Sequence, residues 1–276
     1  MRLTIDKENA ALGATVSDLD LRVPLTEEDR SELRQALAEH QVLFFRDQHI
    51  SPRCHRDFGL AFGSLQIHPS YPTVDGFPEI IVLENDRENP SKIDEWHTDM
   101  SFDPNPPLGS ILIGRKVPEN AGDTMFASLG AAYDDLSESR KKTLEGMTAT
   151  HSFAYGFKES IAEPGGSERL GDAIKRNPDV VHPVVRTHPV TGRKMIFVNR
   201  LFTSKINGLS QQDSDDLLTS LCDHLVQDKY ICRFRWQQNS IAFWDNRAVL
   251  HVPVNDYWPA LRRMERVTIN DTLVPA

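Results

Sequence analysis

The sequence lacks any apolar run of the roughly 18 residues that a membrane-spanning helix needs, and its N-terminus is polar and alternating. We therefore expect neither a transmembrane segment nor a signal peptide. Cysteine is scarce: the only three are Cys54, Cys222 and Cys232, and none forms a C-x-x-C pair. An odd, scattered set of thiols suits a reducing compartment better than a disulfide framework, so we expect a cytoplasmic protein with no membrane partner.

An excess of basic charge is also missing, since the net charge of the 276 residues is −9 at pH 7. Nucleic-acid binding requires a basic face that displaces counterions, so we expect no nucleic-acid partner. Low-complexity runs and linkers rich in proline, glycine or serine are absent too, while 39% of the residues are hydrophobic. These properties predict a single domain over residues 1–276 with one sizeable core.

Helix and strand signals alternate in the first part of the chain. Thr26 and Asp29 can form a capping box for a helix that carries Leu33 and Leu37 on one face. Ser51-Pro52 can begin a second helix. The apolar stretch from Gln41 to Arg46, between these two helices, predicts a buried strand.

The later part of the chain predicts helices within 137–147 and after Ser210, separated by 161–180, which is rich in glycine, proline and charge. We expect that stretch to be a mobile loop or lid, within a helical and loop insertion at about 128–180. The short strands elsewhere, separated by proline and glycine, suit a jelly-roll. The predicted fold class is α+β.

The segment Trp96-His97-Thr98-Asp99 has the pattern of a metal site. Alternate side chains of a strand point to one face, so His97 and Asp99 can reach one ion together. A single H-x-D pair is weak evidence, because such pairs occur freely on strand surfaces. His251 can supply a second imidazole, since it closes an apolar run that predicts a buried strand. Two histidines and one carboxylate on one face leave three positions open, as in non-heme Fe(II) oxygenases.

Arginines cluster after His251, in the run from Arg262 to Ile269. On a strand, Arg262 and Arg266 share a face with each other, while Arg263 and Glu265 point away as a solvated charge pair. Paired guanidiniums on one face indicate bound carboxylate or sulfonate groups, because arginine stays charged in a closed pocket. The alternative is a solvated, arginine-rich edge strand.

These residues, with others spread over nearly the whole chain, resemble the taurine dioxygenase branch of the Fe(II)/2-oxoglutarate-dependent oxygenases, which includes alkylsulfatase and aryloxyalkanoate dioxygenases. The matching segments, in order, are Leu12 to Ala14, Gln41 to Arg46, Ile67 to Pro72, Trp96 to Phe102, Gly122 to Thr124, Phe197 to Asn199 and Phe243 to Arg266. The resemblance implies a double-stranded β-helix, a cupin-like jelly roll with flanking helices.

The resemblance also implies roles for individual residues. His97, Asp99 and His251 would bind Fe(II). Thr124 and Arg262 would hold the distal carboxylate of the cosubstrate 2-oxoglutarate. The remaining implied residues would bind or enclose the prime substrate: His68, Tyr71, Ile93, Met100, Phe157, Phe202 and Arg266.

Several of these residues have a plainer explanation from the sequence alone. Thr124 can be a turn residue after Gly122. His68 lies in a proline-bracketed loop, where a histidine is commonly exposed. Phe157 and Phe202 can be core aromatics, and they can also wall a substrate pocket at the same time. Trp244, Asp245 and Asn246 are interpreted as packing and support for the metal ligands, and His151, His182, His188 and His224 as structural.

Two positions depart from the family pattern. Ile93 stands where taurine dioxygenases carry an asparagine near the substrate amine, and Met100 stands where they carry a valine. An apolar group cannot replace the lost hydrogen bond to the amine, whereas His68 and Arg266 are retained for the anion. We therefore expect a small sulfonate or similar anion with a less polar far end.

The implied activity is the hydroxylation of a taurine-like alkyl sulfonate by dioxygen and 2-oxoglutarate, with release of sulfite and an aldehyde. Oxidation of a sulfate ester, an aryloxyalkanoate or another small carboxylate is the alternative. A zinc hydrolase or a non-catalytic binding module is more remote, because neither explains the arginines or Thr124. The carboxylate of Asp99 favours oxygenation, since halogenating relatives lack it. A homo-oligomer, dimer or tetramer, is expected.

Overall fold

The computed structural model describes residues 3–68 and 71–271; residues 1–2 and 272–276 of the predicted domain, and Pro69 and Ser70 of the motif around His68, lie outside the described residues. The α-helices are α1 Glu27–His40, α2 Pro52–Leu60, α3 Leu129–Asp134, α4 Glu138–Leu144, α5 Phe153–Gly156, α6 Lys158–Ala162, α7 Gly166–Arg176 and α8 Gln211–Leu225. A short 3-10 helix spans Asp228–Tyr230.

The strands are β1 Thr4–Lys7, β2 Ala14–Ser17, β3 Val42–Phe45, β4 Thr73–Val74, β5 Phe77–Asn85, β6 Gly109–Lys116, β7 Thr124–Ser128, β8 Thr148–His151, β9 Val180–Pro183, β10 Val185–Thr187, β11 Lys194–Ile196, β12 Thr203–Ile206, β13 Ile231–Phe234, β14 Ile241–Asp245, β15 Val249–Pro253 and β16 Arg262–Ile269. A mixed helix-and-sheet fold was predicted, and the structure confirms it.

Local signals account for the first helices. Thr26 accepts a hydrogen bond from the Asp29 backbone, and the Asp29 carboxylate accepts one from the Thr26 backbone, so the predicted capping box begins α1. Leu33 and Leu37 of this helix are buried. Ser51 caps α2 with Pro52 in its first turn, as predicted.

Eight strands form the large sheet, in the order β1-β2-β3-β14-β6-β16-β5-β4. Successive side chains of these strands belong to different cores, because strand side chains alternate between the two faces. On β3, Phe44 packs in one apolar cluster and Phe45 in another. On β14, Trp244 joins Phe44, whereas Phe243 joins Phe45 beneath α1 and α2. Both faces of the large sheet are therefore buried.

A three-stranded sheet in the order β13-β7-β15 faces the cluster that contains Phe44. Phe126 of β7, Leu250 of β15 and Phe234 of β13 pack in that cluster with Trp244 of the large sheet. The space between the two sheets is therefore the main core. Thr124 is the first residue of β7, and Arg262 is the first residue of β16.

The insertion between β7 and β9 is largely helical and carries α3 to α7. The prediction that 161–180 is a loop was wrong for Gly166–Arg176, which is the helix α7, and at its two ends, which belong to α6 and β9. Gly165, with φ of 73°, leads the chain into that helix. Ala173 and Ile174 then pack against Phe102, Phe153 and Phe202. Tertiary contact on one apolar face thus outweighs the local glycine and proline.

Two smaller sheets complete this region, β12-β8-β9 and β10-β11. Within residues 3–68 and 71–271, no helix is both long and apolar enough to cross a membrane.

Candidate metal and cosubstrate site

His97 and His251 lie directly opposite each other as an isolated antiparallel bridge between two segments. The His97 amide donates to the His251 carbonyl at 3.1 Å, and the His251 amide donates to the His97 carbonyl at 2.8 Å. Their ring centroids are 4.3 Å apart. The backbone therefore places two imidazoles side by side, although 154 residues separate them in the chain.

Asp99 completes the cluster. Its Oδ1 lies 3.8 Å from Nε2 of each histidine, and one ligand atom of each of the three residues lies within 4.8 Å of the others. All three residues are buried, at 5–7% exposure. The Asn246 amide pairs with the Asp99 backbone, accepting at 2.8 Å and donating at 2.9 Å, while the Ser110 hydroxyl donates to Oδ2 at 3.2 Å.

The protonation of these groups suits metal coordination. The Nδ1 of His97 lies 2.8 Å from the Glu95 carbonyl oxygen and donates to it, which leaves the Nε2 lone pair facing Asp99. Burial lowers the pKa of His97, and burial together with His97 lowers the pKa of His251 to about 3. Burial would raise the pKa of Asp99, but Arg266 and the two histidines lower it further than that. Two neutral imidazoles and a carboxylate are the donors that a divalent first-row metal takes, so the residues fit Fe(II).

Arg266 lies against this cluster. Its Nη1 is 3.1 Å from both Asp99 oxygens, while its Nε is buried without a hydrogen-bond partner among the described residues. A guanidinium has five N–H donors, so the contact with Asp99 leaves donors for a second anion. Burial, and then the charge of Arg266, lowers the pKa of the nearby His68. The His68 ring packs edge-on against Tyr71, with centroids 4.7 Å apart.

Arg262 and Thr124 both lie close to the turn at Gly122. Arg262, 5% exposed, donates from Nε to the Gly122 carbonyl at 3.2 Å and lies 5.6 Å from the Tyr257 ring centroid. In the part of the chain that the structure describes, no carboxylate forms an ion pair with Arg262. The Trp236 indole N–H donates to Thr124 Oγ1 at 2.9 Å, which leaves the Thr124 hydroxyl hydrogen for another acceptor. A buried cation beside a free hydroxyl donor is suited to a carboxylate ligand.

A cavity of about 1560 Å³ lies beside the candidate metal ligands His97 and Asp99. The residues predicted to bind substrate all line it: His68, Tyr71, Ile93, Met100, Phe157, Phe202 and Arg266. His97 and Asp99 line its inner end, whereas His251, Thr124 and Arg262 are not among its lining residues within the described chain. Ile93 is 36% exposed.

The sequence from residue 5 to residue 268 matches the family described as taurine catabolism dioxygenase TauD, TfdA. The chain belongs to this family. An alkylsulfatase from Acinetobacter baylyi is 35% identical over 272 residues, which are 97% of this chain and 85% of that protein. An alpha-ketoglutarate-dependent sulfate ester dioxygenase from Pseudomonas putida is 31% identical over 98% of this chain and 90% of its own.

Solved structures agree with the family assignment. The crystal structure of AAD-2 in complex with Mn(II) and N-oxalylglycine superimposes with a TM-score of 0.84 at 30% identity, covering 99% of each chain. The present chain is accordingly an Fe(II)- and 2-oxoglutarate-dependent dioxygenase of the taurine dioxygenase family.

Sequence reasoning missed several parts of the dioxygenase site. Ser110, the Glu95 carbonyl and Trp236 contact the candidate ligands, but a serine, a backbone carbonyl or a tryptophan carries no sequence pattern that announces such a contact. Asn246, interpreted from sequence as a supporting residue, does hold the Asp99 backbone. Trp244 packs against His251, with ring centroids 4.9 Å apart.

One expectation about the arginine strand was wrong. Glu265 is buried, not solvated, and its main partner is Arg115, whose Nε lies 2.7 Å from it. Arg263 does point outward and pairs with Glu84 at 3.0 Å, and the predicted pair of Arg263 with Glu265 is present at 3.7 Å. The face of β16 opposite the cavity is covered near Ile50, whose carbonyl also binds Arg115, so pointing away from the cavity does not mean facing solvent.

Proposed function

We propose that this dioxygenase hydroxylates a small anionic substrate with an apolar far end, foremost an alkyl sulfonate, and releases sulfite and an aldehyde. The observation that carries the proposal is the make-up of the cavity. Arg266 and His68 stand near its metal end, whereas Ile93, Phe157 and Phe202 line it without offering a partner to an amine. At about 1560 Å³ it exceeds the roughly 300–1,000 Å³ of ordinary small-molecule pockets, which leaves room for a longer chain than that of taurine.

We propose His97, Asp99 and His251 as the three iron ligands. Their neutral imidazoles and ionised carboxylate, gathered within 4.8 Å, support this assignment. When bound there, Fe(II) and 2-oxoglutarate supply the oxidising chemistry, in which dioxygen decarboxylates 2-oxoglutarate to succinate and carbon dioxide and a substrate C–H bond is hydroxylated. The task of the chain itself is to hold that C–H bond close to the metal and to exclude water.

For 2-oxoglutarate we propose Thr124 and Arg262 as the partners of the distal carboxylate. Arg262 is a buried cation with no ion pair among the described residues, and such a charge is costly until an anion binds. The Thr124 hydroxyl can donate because Trp236 fills one of its lone pairs.

The substrate anion would bind His68 and Arg266, with Tyr71, Ile93 and Met100 around it. The unused donors of Arg266 suit a sulfonate. Once a carbon that bears the sulfonate is hydroxylated, the C–S bond breaks with its electron pair leaving on sulfur, and the hydroxyl loses its proton. The organic product is then an aldehyde and the sulfur product is sulfite.

Oxidation of a sulfate ester is the second candidate. It is favoured by the alkylsulfatase of Acinetobacter baylyi and the sulfate ester dioxygenase of Pseudomonas putida among the relatives. The same anion-binding groups would serve, and the products would be an aldehyde and sulfate. Oxidation of an aryloxyalkanoate or another small carboxylate is a further alternative.

The test is a panel of taurine, pentanesulfonate, hexyl sulfate and phenoxyacetate, with succinate, aldehyde and sulfite measured in parallel. The Ile93 side chain offers no hydrogen bond to an ammonium group, so pentanesulfonate should be used at least as well as taurine. Ile93→Asn should move the preference toward taurine. A strong preference of the unchanged enzyme for taurine, by kcat/KM, would refute the proposed substrate class, and no iron-dependent succinate with any compound would refute the proposed site.

We also propose the finer architecture. The facing large and three-stranded sheets would be the two walls of a double-stranded β-helix within one domain of residues 1–276. The insertion at about 128–180 would act as a lid. Its Glu163 pairs with Lys92, which lies outside the insertion and also lines the cavity, at 2.7 Å, and with Arg169 of α7 at 3.1 Å. We also propose that the protein is a homo-oligomer and that it acts in the cytoplasm.

A further inference from the structure

The matched segment Phe197 to Asn199 has no role in the proposed chemistry, yet Asn199 is almost fully buried, at 1% exposure. Its amide nitrogen Nδ2 donates to Ser101 Oγ at 2.9 Å, and its Oδ1 accepts from the Phe202 amide at 2.8 Å. One side chain therefore ties together two segments that are about a hundred residues apart. The Asn199 backbone is itself fixed, since its N–H donates to Thr203 Oγ1 at 2.9 Å.

Ser101 stands at the centre of a buried polar group. The Nδ1 of His151 lies 3.1 Å from its hydroxyl, and the Nε2 of His182 lies 3.0 Å from its carbonyl oxygen and 3.2 Å from that of Asp103. Burial lowers the pKa of His151 to about 3 and that of His182 to about 4, so both rings are neutral. Ser101, Asn199, His151 and His182 therefore form a group of neutral, hydrogen-bonded side chains. Within this group, Asn199 forms the link to Phe202 through the Phe202 amide.

The two segments joined in this way carry side chains that line the cavity. Ser101 follows Asp99 by two positions, and the residue between them, Met100, has φ of 51°, a strained backbone for a non-glycine residue. The rings of Phe102 and Phe202 meet edge-on with centroids 4.9 Å apart, and Phe202 also approaches His97, at 6.3 Å. A shift of Ser101 would therefore move Asp99, Met100 and Phe102 relative to Phe202.

We propose that Asn199, acting through Ser101, is a positioning residue that fixes the turn from Asp99 to Phe102 against Phe202, and so fixes the substrate carbon relative to the metal. This inference rests on the proposed function, because it takes Asp99 as a ligand and the cavity as the substrate site. Neither Asn199 nor Ser101 is among the described residues that line the cavity, so both act through their neighbours.

A positioning role predicts a loss of coupling, because 2-oxoglutarate would still be converted to succinate while a misplaced C–H bond would not be hydroxylated. In Asn199→Ala the aldehyde formed per succinate should fall at least about fivefold, since a displacement of about 1 Å can cost up to a hundredfold in rate. Ser101→Ala, which removes only one hydroxyl, should show the same defect. The double variant should be no worse than the more defective single variant, because each single substitution already removes the hydrogen bond between Asn199 and Ser101.

The matched control is Asn207→Ala. Asn207 also lies beside the β12-β8-β9 sheet and also makes two side-chain hydrogen bonds, with Thr150 at 2.8 Å and Thr148 at 3.0 Å. Among the described residues, none of its hydrogen bonds reaches the 99–103 turn. It should keep the parental ratio of aldehyde to succinate. The assay uses the panel compound that the parent oxidises fastest, and binding of Mn(II), followed by electron paramagnetic resonance, is measured for every variant.

The outcomes separate the inference from the proposed function. Parental aldehyde-to-succinate ratios in both Asn199→Ala and Ser101→Ala would overturn the inference while leaving the proposed function intact. An equal loss in Asn207→Ala would overturn it as well, since the effect would then be general destabilisation. If Asn199→Ala does not fold, Ser101→Ala and its ratio decide the question. A parent that forms no succinate with any panel compound would instead refute the proposed function.

Discussion

Replacement of Arg262 by alanine is the sharpest test of the cosubstrate site. The guanidinium is buried, donates one hydrogen bond to the Gly122 carbonyl, and has no ion pair among residues 3–68 and 71–271. Burial lowers its pKa, with Tyr257 and Asp123 acting in the opposite direction. Arginine nevertheless stays protonated at neutral pH. Arg262 is therefore a buried cation, and the proposed partner of its charge is the distal carboxylate of 2-oxoglutarate.

The size of the expected effect follows from that geometry. A charge-assisted hydrogen bond to a carboxylate contributes about 1.5–3 kcal/mol, which corresponds to about a 10- to 150-fold loss of 2-oxoglutarate affinity. The same substitution should change the free energy of unfolding by less than about 2 kcal/mol, because losing the bond to Gly122 is offset by removing an unpaired buried charge. We therefore expect Arg262→Ala to weaken 2-oxoglutarate binding strongly while changing the free energy of unfolding little.

The assay is the dependence of succinate formation on 2-oxoglutarate concentration, together with thermal unfolding and Mn(II) binding. Arg263→Ala is the matched control, since Arg263 is the adjacent arginine on β16 but points outward to Glu84 at 3.0 Å. We expect Arg262→Ala alone to raise the KM for 2-oxoglutarate, with metal binding retained. A parental KM in Arg262→Ala, or an equal rise in Arg263→Ala, would refute the assignment.

Three further predictions concern the surrounding structure. His251→Ala should abolish iron-dependent turnover and weaken Mn(II) binding while the protein stays folded by circular dichroism, because two ligands seldom hold Fe(II); full activity would eliminate His251 as a ligand. Gly122→Ala should displace Arg262 and raise the KM for 2-oxoglutarate, because the added Cβ would lie 3.1 Å from Cδ and Nε of Arg262 and the φ of Gly122 is 73°. An unchanged KM would argue against Arg262 as the partner of the 2-oxoglutarate carboxylate. Asp245 lies in a buried pair with Arg247, and although burial raises its pKa, the hydrogen bonds outweigh this and lower it to about 2. Its contribution to stability is thus present above pH of about 4 and lost as the pH falls toward 2, so the lead of the parent over Asp245→Asn in denaturant unfolding should shrink by about 2 kcal/mol between pH 5 and pH 2; a constant lead would contradict this.

Much of the fold was predictable where the determinants are local. The capping box at Thr26 and the serine and proline at the start of α2 act within one helical turn, so their signals are complete in the sequence. The buried strand β3 was predictable for a similar reason, since Val42–Phe45 is an unbroken apolar run. The candidate ligands His97 and Asp99 were predicted from strand alternation, and the structure does bring both to His251. The alternation itself was wrong, because His97 lies in an isolated bridge and Asp99 in a turn.

The remainder depended on contacts between distant segments. Helix α7 is amphipathic and begins with glycine, and only its packing on the aromatic cluster around Phe202 favours the helix over a loop. Strand alternation correctly predicted that Glu265 points away from the cavity. It could not predict that Arg115 forms a buried ion pair with Glu265 on that side of the strand. The contact of Ser110 with Asp99 likewise exists only because β6 lies beside β14 and β16 in the sheet.

The backbone bridge between His97 and His251 also bears on how the protein acquires its metal. Peptide hydrogen bonds of 2.8 and 3.1 Å hold the backbones of these two residues opposite each other, so the fold itself places two of the three proposed ligands side by side. Three ligands on one side place little geometric demand on the ion, and affinity should then follow the Irving–Williams order, in which nickel, copper and zinc all exceed ferrous iron. The occupant of such a site is decided by supply, because the metal most available to the cell during synthesis fills it. Protein produced in a zinc-rich or nickel-rich medium would therefore be folded and fully metallated, yet inert toward dioxygen.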